Sequence, residues 1–426
     1  MIEVFEDVAC TVCGCVCDDL RMTTDSGRIV KADGACPLAE PWLFAQGSRE
    51  PPLAMIDGRD QPLDAALDRA AKILDGAKSP LIYGLSRSST EGQRAAVRLA
   101  DHLGATIDTT ASTCHAPSIM ALQQVGESTC SLGEIRNRAD LIIYWGSNPV
   151  VSHPRHLERY SADSVGQFVP GGRSERTLVV VDIHATPTTE RADLFLQIEP
   201  GRDFEALWTL RALIAGLPVD PHGATGLPHA QLTDLARRMK SCRCGVIFFG
   251  LGLTRQGVPH AAVEALLRLV TDLNRHTRFH ARRMRVYGDV AGADSVLCWQ
   301  TGFPFSVNLA RGFPRYGPGE YSADAMLSRH EADVCLLVGS EGIEPLSSAA
   351  KEHLARIPTV VLDYPTVDPP LKPSVRFTTA AYGIHRAGTA YRMDEIPIPL
   401  RAVLPTHYPS DGEVLHGLIE RTRRRC

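Results

Sequence analysis

No run of about 18 apolar residues occurs anywhere in the 426-residue chain, which excludes a helix long enough to span a bilayer. The acidic opening, Met1-Ile2-Glu3-Val4-Phe5-Glu6-Asp7, lacks the apolar core of a secretion signal. The expected location is therefore the cytoplasm. A basic run of useful length is also missing and the net charge is −4, which argues against nucleic acid as a partner. The Arg423-Arg424-Arg425 run reads as solvated terminal charge. The rest of the composition, 44% hydrophobic and 22% charged, is that of an ordinary globular protein with room for two or three cores.

Cysteine is the residue present in excess. In a reducing cytosol twelve cysteines argue for metal or reactive sites rather than disulfides. Cys10, Cys13 and Cys17 follow C-x2-C-x3-C, and Cys36-Pro37 comes later. Four thiolates gathered this tightly suit a [4Fe–4S] cluster, and hence electron transfer. Four cysteines also suit tetrahedral zinc, but structural zinc usually pairs two C-x2-C knuckles. A three-thiolate run with a distant fourth favours the cluster. Cys15 is left over and blurs which sulfurs bind. Cys130, Cys242, Cys244, Cys298 and Cys335 read as core or structural residues.

Short apolar strands and helical segments alternate along the chain after Pro51-Pro52, which predicts parallel α/β sheets covered on both faces. Leu63 to Leu74 reads as a helix, Leu81 to Gly84 as a strand, and Thr90 to Leu103 as a helix capped by Ser89 or Thr90. An internal near-repeat organises the rest. Ala139-Asp140, the run Leu141 to Trp145 and Gly146-Ser147-Asn148 precede Thr177 to Asp182. Ala332-Asp333, the run Val334 to Val338 and Gly339-Ser340-Glu341 precede Thr359 to Asp363. Each copy reads as two neighbouring strands of a nucleotide-binding sheet. Gly after the first strand permits close approach of a phosphate. Asp after the second can accept hydrogen bonds from a ribose or a guanine edge. A parallel strand can end in Gly or Asp for structural reasons alone, but two copies in one order favour the binding reading. Gly250-Leu251-Gly252, after another apolar strand, is a weak signal without the full dinucleotide fingerprint.

Three further segments carry candidate chemistry. Cys114-His115 lies in a small-residue loop before a helical run, where a thiolate is favoured as metal ligand or nucleophile and His115 can move protons. A buried Cys beside a structural His fits the same residues. His153-Pro154-Arg155-His156 follows a strand in a loop suited to ligand binding or to holding backbone. Arg282, Arg283 and Arg285 suit a phosphate or formate-like anion, or a solvated basic face.

Taken together these segments resemble the B subunit of formylmethanofuran dehydrogenase, in the molybdopterin oxidoreductase superfamily. The likeness runs from about residue 5 to about residue 400 and includes Thr113 to Ser118, Trp145 to His156, Ala192 to Gly201, Arg315 to Glu320 and Gly388 to Met393. The resemblance implies an α/β fold with a cysteine-rich N-terminal domain over residues 1–50 and two Rossmann-like domains. One comprises 51–135 and 320–426, and the other, 136–319, is nested in it. It also implies a tungsten or molybdenum ion on two pterin guanine dinucleotides. Cys114 would be the metal ligand, beside His115 and Arg285, and Cys10, Cys13, Cys17 and Cys36 would be the cluster ligands. Gly146, Ser147, Asn148, His153, Asp182, Gly201 and Asp203 would hold one dinucleotide. Gly339, Ser340, Glu341, Asp363 and Thr389 would lie near the other. The implied reaction interconverts CO2 or formate with formyl-level carbon on a C1 carrier. Implied partners are amidohydrolase-like, β-helix-like, formyltransferase and pterin-capping barrel subunits, the barrel because only 33 residues follow Met393. One departure stands out. Where the family usually has a Gly-His-Tyr-Asn-like run after Arg285, this chain has Val286-Tyr287-Gly288-Asp289. That departure and the Arg-rich composition keep a second expectation open, a redox-silent structural role in a bacterial formyltransferase/hydrolase complex. In that case neither cluster nor pterin need be bound.

Overall fold

Val179-Val180-Val181 and Leu336-Leu337-Val338 are apolar runs too short for helices, and both become strands buried on both faces. The computed structural model describes residues 1–424 except Gln256. Arg425, the last of the terminal arginines, lies outside the described residues. Arg423 donates its backbone N–H to Asp75 at 2.9 Å. No helix among the described residues is long and apolar enough to cross a membrane.

The chain divides into two compact units, residues 1–113 with 287–426, and residues 114–286. The second is inserted in the first, and it begins and ends earlier than the expected 136 and 319. The reason lies in helix packing. Ala116–Val125 packs on Pro259–Leu273, inside the nested unit, and Val290–Thr301 packs on Thr90–Leu103 in the outer one.

The outer unit begins with a three-stranded antiparallel sheet, Ile2–Val8, Leu20–Asp25 and Arg28–Asp33, with the cysteine loop inserted between its first two strands. Its main sheet has nine strands. Five of them run parallel, in the order Thr106–Thr109, Pro80–Gly84, Val334–Val338, Thr359–Asp363 and Val375–Thr378. Thr90–Leu103 forms as its pattern predicts, with the Ser89 hydroxyl accepting from the Gly92 N–H. Its alanine and leucine face packs on the sheet, and Gly104 ends it in the left-handed conformation.

The nested unit is a five-stranded parallel sheet. Its order is Leu194–Gln197, Thr177–Asp182, Leu141–Trp145, Cys244–Phe249 and Arg278–Arg283. In both copies of the near-repeat the two strands are hydrogen-bonded neighbours, Leu141 opposite Thr177 and Cys335 opposite Thr359. The Gly-Ser turn and the terminal Asp of each copy therefore emerge side by side at the carboxyl end of a sheet.

Candidate metal and cofactor sites

The cysteine loop is a tight coil. Cys10 N donates to Cys17 O at 2.8 Å and Val16 N to Cys13 O at 3.1 Å. Val16 sits at φ 36°, an unfavourable place for a β-branched residue, held by the loop closure around it. Cys10, Cys13, Cys17 and Cys36 are all buried. Burial pushes the thiols of Cys10 and Cys36 upward in pKa, and the negative charge of neighbouring cysteines pushes them further. Four sulfurs that disfavour one another's ionisation need a cationic centre between them to be held as thiolates. Cys15 lies among them, its thiol hydrogen-bonded to Cys13 and Cys17. Among the described residues no three His, Cys, Asp or Glu side chains gather as ligands of a single ion.

Three residues that carry no cofactor signature in the sequence hold this loop. The Arg87 guanidinium donates to Thr11 O at 3.0 Å and Val12 O at 3.1 Å. Cys13 makes an antiparallel bridge with Tyr287. At Gly288 a Cβ would collide with the carbonyl oxygen of Thr11 and crowd the Tyr382 hydroxyl. Asp289 caps Val290–Thr301 through Gly292 N at 3.1 Å and accepts from Gln93 and Tyr391 N. The Tyr287-Gly288-Asp289 departure thus has a local reason: it seats the cysteine loop and starts a helix.

In the nested unit, Cys114 and His115 stand at the start of Ala116–Val125, and Cys114 O accepts from the Thr254 hydroxyl at 3.1 Å. His115 Nε2 lies 3.1 Å from Met284 O, and Ser118 Oγ lies 3.2 Å from Nδ1. A carbonyl can only accept, so Nε2 carries the proton and Nδ1 accepts from the serine. Burial and the positive charge of Arg285 and Arg283 pull the ring down to about 3, so it is neutral at working pH. His153 grips the next carbonyl in the same way, donating from Nε2 to Arg285 O at 2.6 Å. Two imidazoles therefore fix the backbone that presents Arg285. Of the neighbouring arginines, Arg283 pairs with buried Glu127 at 3.1 Å and Arg282 donates to the Thr129 hydroxyl at 2.7 Å. Both hold the fold from within.

A cavity of about 230 Å³ opens at the carboxyl end of the nested sheet. Gly146, Ser147, Asn148, Asp182 and Asp203 line it, together with His184, Thr186 and Gly252. Gly146 (φ 56°) and Gly252 touch so closely that a Cβ on either would fall within 3 Å of the other's backbone. Asp203 is oriented by the Trp145 indole N–H at 2.7 Å, and Asn148 Oδ1 accepts from the Thr188 hydroxyl at 2.6 Å. Gly201 and His153 do not line this cavity; Gly201 lies in an exposed turn.

The matching place in the outer unit is smaller. Gly339, Glu341 and Asp363 line a cavity of about 10 Å³, room for roughly one water. The Arg87 side chain lies against Gly339, and Ser340 is spent on Asp363 through both N–H and hydroxyl at 2.8 and 2.6 Å. Thr389 lies outside the lining and accepts from Thr90 at its carbonyl.

Comparison with known proteins decides the family. The chain is 37% identical over 432 residues to the B subunit of tungsten-containing formylmethanofuran dehydrogenase 2 from Methanocaldococcus jannaschii, covering 99% of both chains. The chain belongs to the family of formylmethanofuran dehydrogenase B subunits. It is also 27% identical over 287 residues to the B subunit of the formyltransferase/hydrolase complex Fhc from Methylorubrum extorquens, covering 67% of this chain and 74% of that one. The crystal structure of that complex, FhcABCD with methylofuran, contains a chain of the same fold. The TM-score is 0.73 at 23% identity, covering 86% of this chain and 98% of that one. No family model matches the chain. Full-length identity to a dehydrogenase component thus agrees with the parallel-sheet fold.

Proposed function

We propose that this chain is the redox component of a formylmethanofuran dehydrogenase-like complex that interconverts CO2 or formate with formyl-level carbon. The observation that carries the reading is the Cys114-His115 start of Ala116–Val125, in a chain whose full length matches part of a tungsten enzyme. When bound, a tungsten or molybdenum ion with pterin guanine dinucleotide would supply the two-electron chemistry. Cys114 would hold that ion. Arg285, kept in place by His153 and His115, would hold the carboxylate. The glycine contact at Gly146 and Gly252 leaves bare backbone for a pyrophosphate, and Asp182 and Asp203 would accept from the nucleoside. Cys10, Cys13, Cys17 and Cys36 would hold a [4Fe–4S] cluster, whose cationic irons suit buried thiols that oppose one another's ionisation.

Metal analysis of the complex from its native host tests this directly. About four irons per chain and a stoichiometric amount of tungsten or molybdenum are expected. Zinc in place of iron would remove the cluster. Iron without either heavier metal would favour the structural role.

A second expectation concerns partners. Trp299 (57% exposed) and Phe313 (54%) are large apolar side chains open to solvent in the outer unit, as are Phe204 and Trp208 in the nested one. Affinity purification from the native host should bring down further subunits in fixed ratio. A chain made alone should aggregate or elute as broad oligomers, and a monodisperse, fully active monomer would refute this.

A further inference from the structure

The Arg87 side chain is a cation that meets four groups of the protein. Its guanidinium donates to the carbonyls of Thr11 and Val12, the two residues between Cys10 and Cys13. Its Nε lies 3.2 Å from Glu341, on the turn after Val334–Val338, with the Arg87 side chain 14% exposed. Its plane stands over the Tyr287 ring at 5.7 Å, and Tyr287 is the residue that bridges Cys13. The Tyr364 hydroxyl holds the Arg87 carbonyl. A neutral amide could still donate to these carbonyls but would bring no charge. Both bonds come from one terminal nitrogen, Nη1, so a lysine ammonium could make them too and would keep the charge. Glu341 is itself 41% exposed, so water partly screens its pairing with Arg87. The Arg87 side chain is only 14% exposed, so towards the loop its charge is less screened by water.

We infer that Arg87 is a positioning residue for the Cys10–Cys17 loop and sets the potential felt by whatever the four thiolates hold, making a cluster there easier to reduce. The inference rests on the cluster assigned above. Each added electron makes a thiolate-bound cluster more negative, and a fixed cation beside the loop favours that state. Arg87 also ties the loop to the Gly339-Ser340-Glu341 turn, so the same side chain joins the cysteine lobe to the main sheet of the outer unit.

The test is a redox titration of the cluster, followed by electron paramagnetic resonance in the intact complex, for wild type, Arg87→Gln and Arg87→Lys, with iron measured in each. Arg87→Gln should be about tenfold harder to reduce, ~59 mV lower for a one-electron couple, with iron unchanged. Arg87→Lys should stay within about twofold of wild type. Loss of iron in Arg87→Gln but not in Arg87→Lys supports the same assignment, because charge is then what holds the loop. Equal potentials and iron in wild type and Arg87→Gln would overturn it, as would equal shifts or equal iron loss in both variants. Wild-type complex without iron overturns the cluster itself, and the inference with it.

Discussion

Replacing Cys114 by Ala in the assembled complex should cut CO2/formate-level turnover by about 10³-fold or more while iron stays near four per chain. The residue stands in a loop held at both ends. Thr110–Thr113 precedes it as a short turn, and its own carbonyl is fixed by Thr254. Its side chain is partly exposed, unlike the fully buried Cys335. Removing one sulfur here would delete the proposed ligand without opening a core cavity, so folding and the cysteine lobe should be spared. Loss of tungsten or molybdenum together with activity is the expected pattern. Full one-carbon flux in Cys114→Ala, from a complex whose wild type holds neither metal, would leave only the structural role.

The second large effect concerns the two imidazoles behind Arg285. His115→Leu or His153→Leu leaves a backbone carbonyl without its donor, at a cost of about 1–3 kcal/mol. His115→Gln, whose amide can still donate to Met284 O, should recover most of the lost stability. The same pair separates two roles for His115. A proton carrier would give a rate profile with a limb near the ordinary imidazole value of about 6.5. Held neutral down to about pH 3, His115 gives no such limb. The positioning role predicts near-normal turnover in His115→Gln, with a raised KM for the anion in His115→Leu. A loss of about 100-fold in His115→Gln would restore the proton-carrying role.

What the sequence made legible follows its physics. Val179 to Val181 and Leu336 to Val338 announce buried parallel strands, because nothing but two covered faces tolerates them. The paired Gly-Ser and Asp ends showed which strands would be neighbours. The limits of the nested unit were harder. The apolar stripes of Ala116–Val125 and Val290–Thr301 say that one face is covered, not which sheet covers it. Arg87 left no trace, since its partners are the carbonyls of Thr11 and Val12, and any residue offers a carbonyl. Gly252 did leave one, in the Gly250-Leu251-Gly252 run. Its meaning depended on Gly146, more than a hundred positions away, meeting it backbone to backbone.

The nested arrangement also dictates an order of events at the ribosome. Residues 114–286 can complete their sheet as soon as Arg278–Arg283 emerges. The outer sheet must wait for Val334–Val338, which inserts beside Pro80–Gly84. Cys13 cannot meet Tyr287, nor Met393 N the carbonyl of Gly14, until those late residues are made. The nascent chain therefore carries its four N-terminal thiols uncovered through most of its synthesis. On the proposed reading, metal delivery to them would have that interval in which to act, and oxidation of the thiols would have the same interval in which to forestall it.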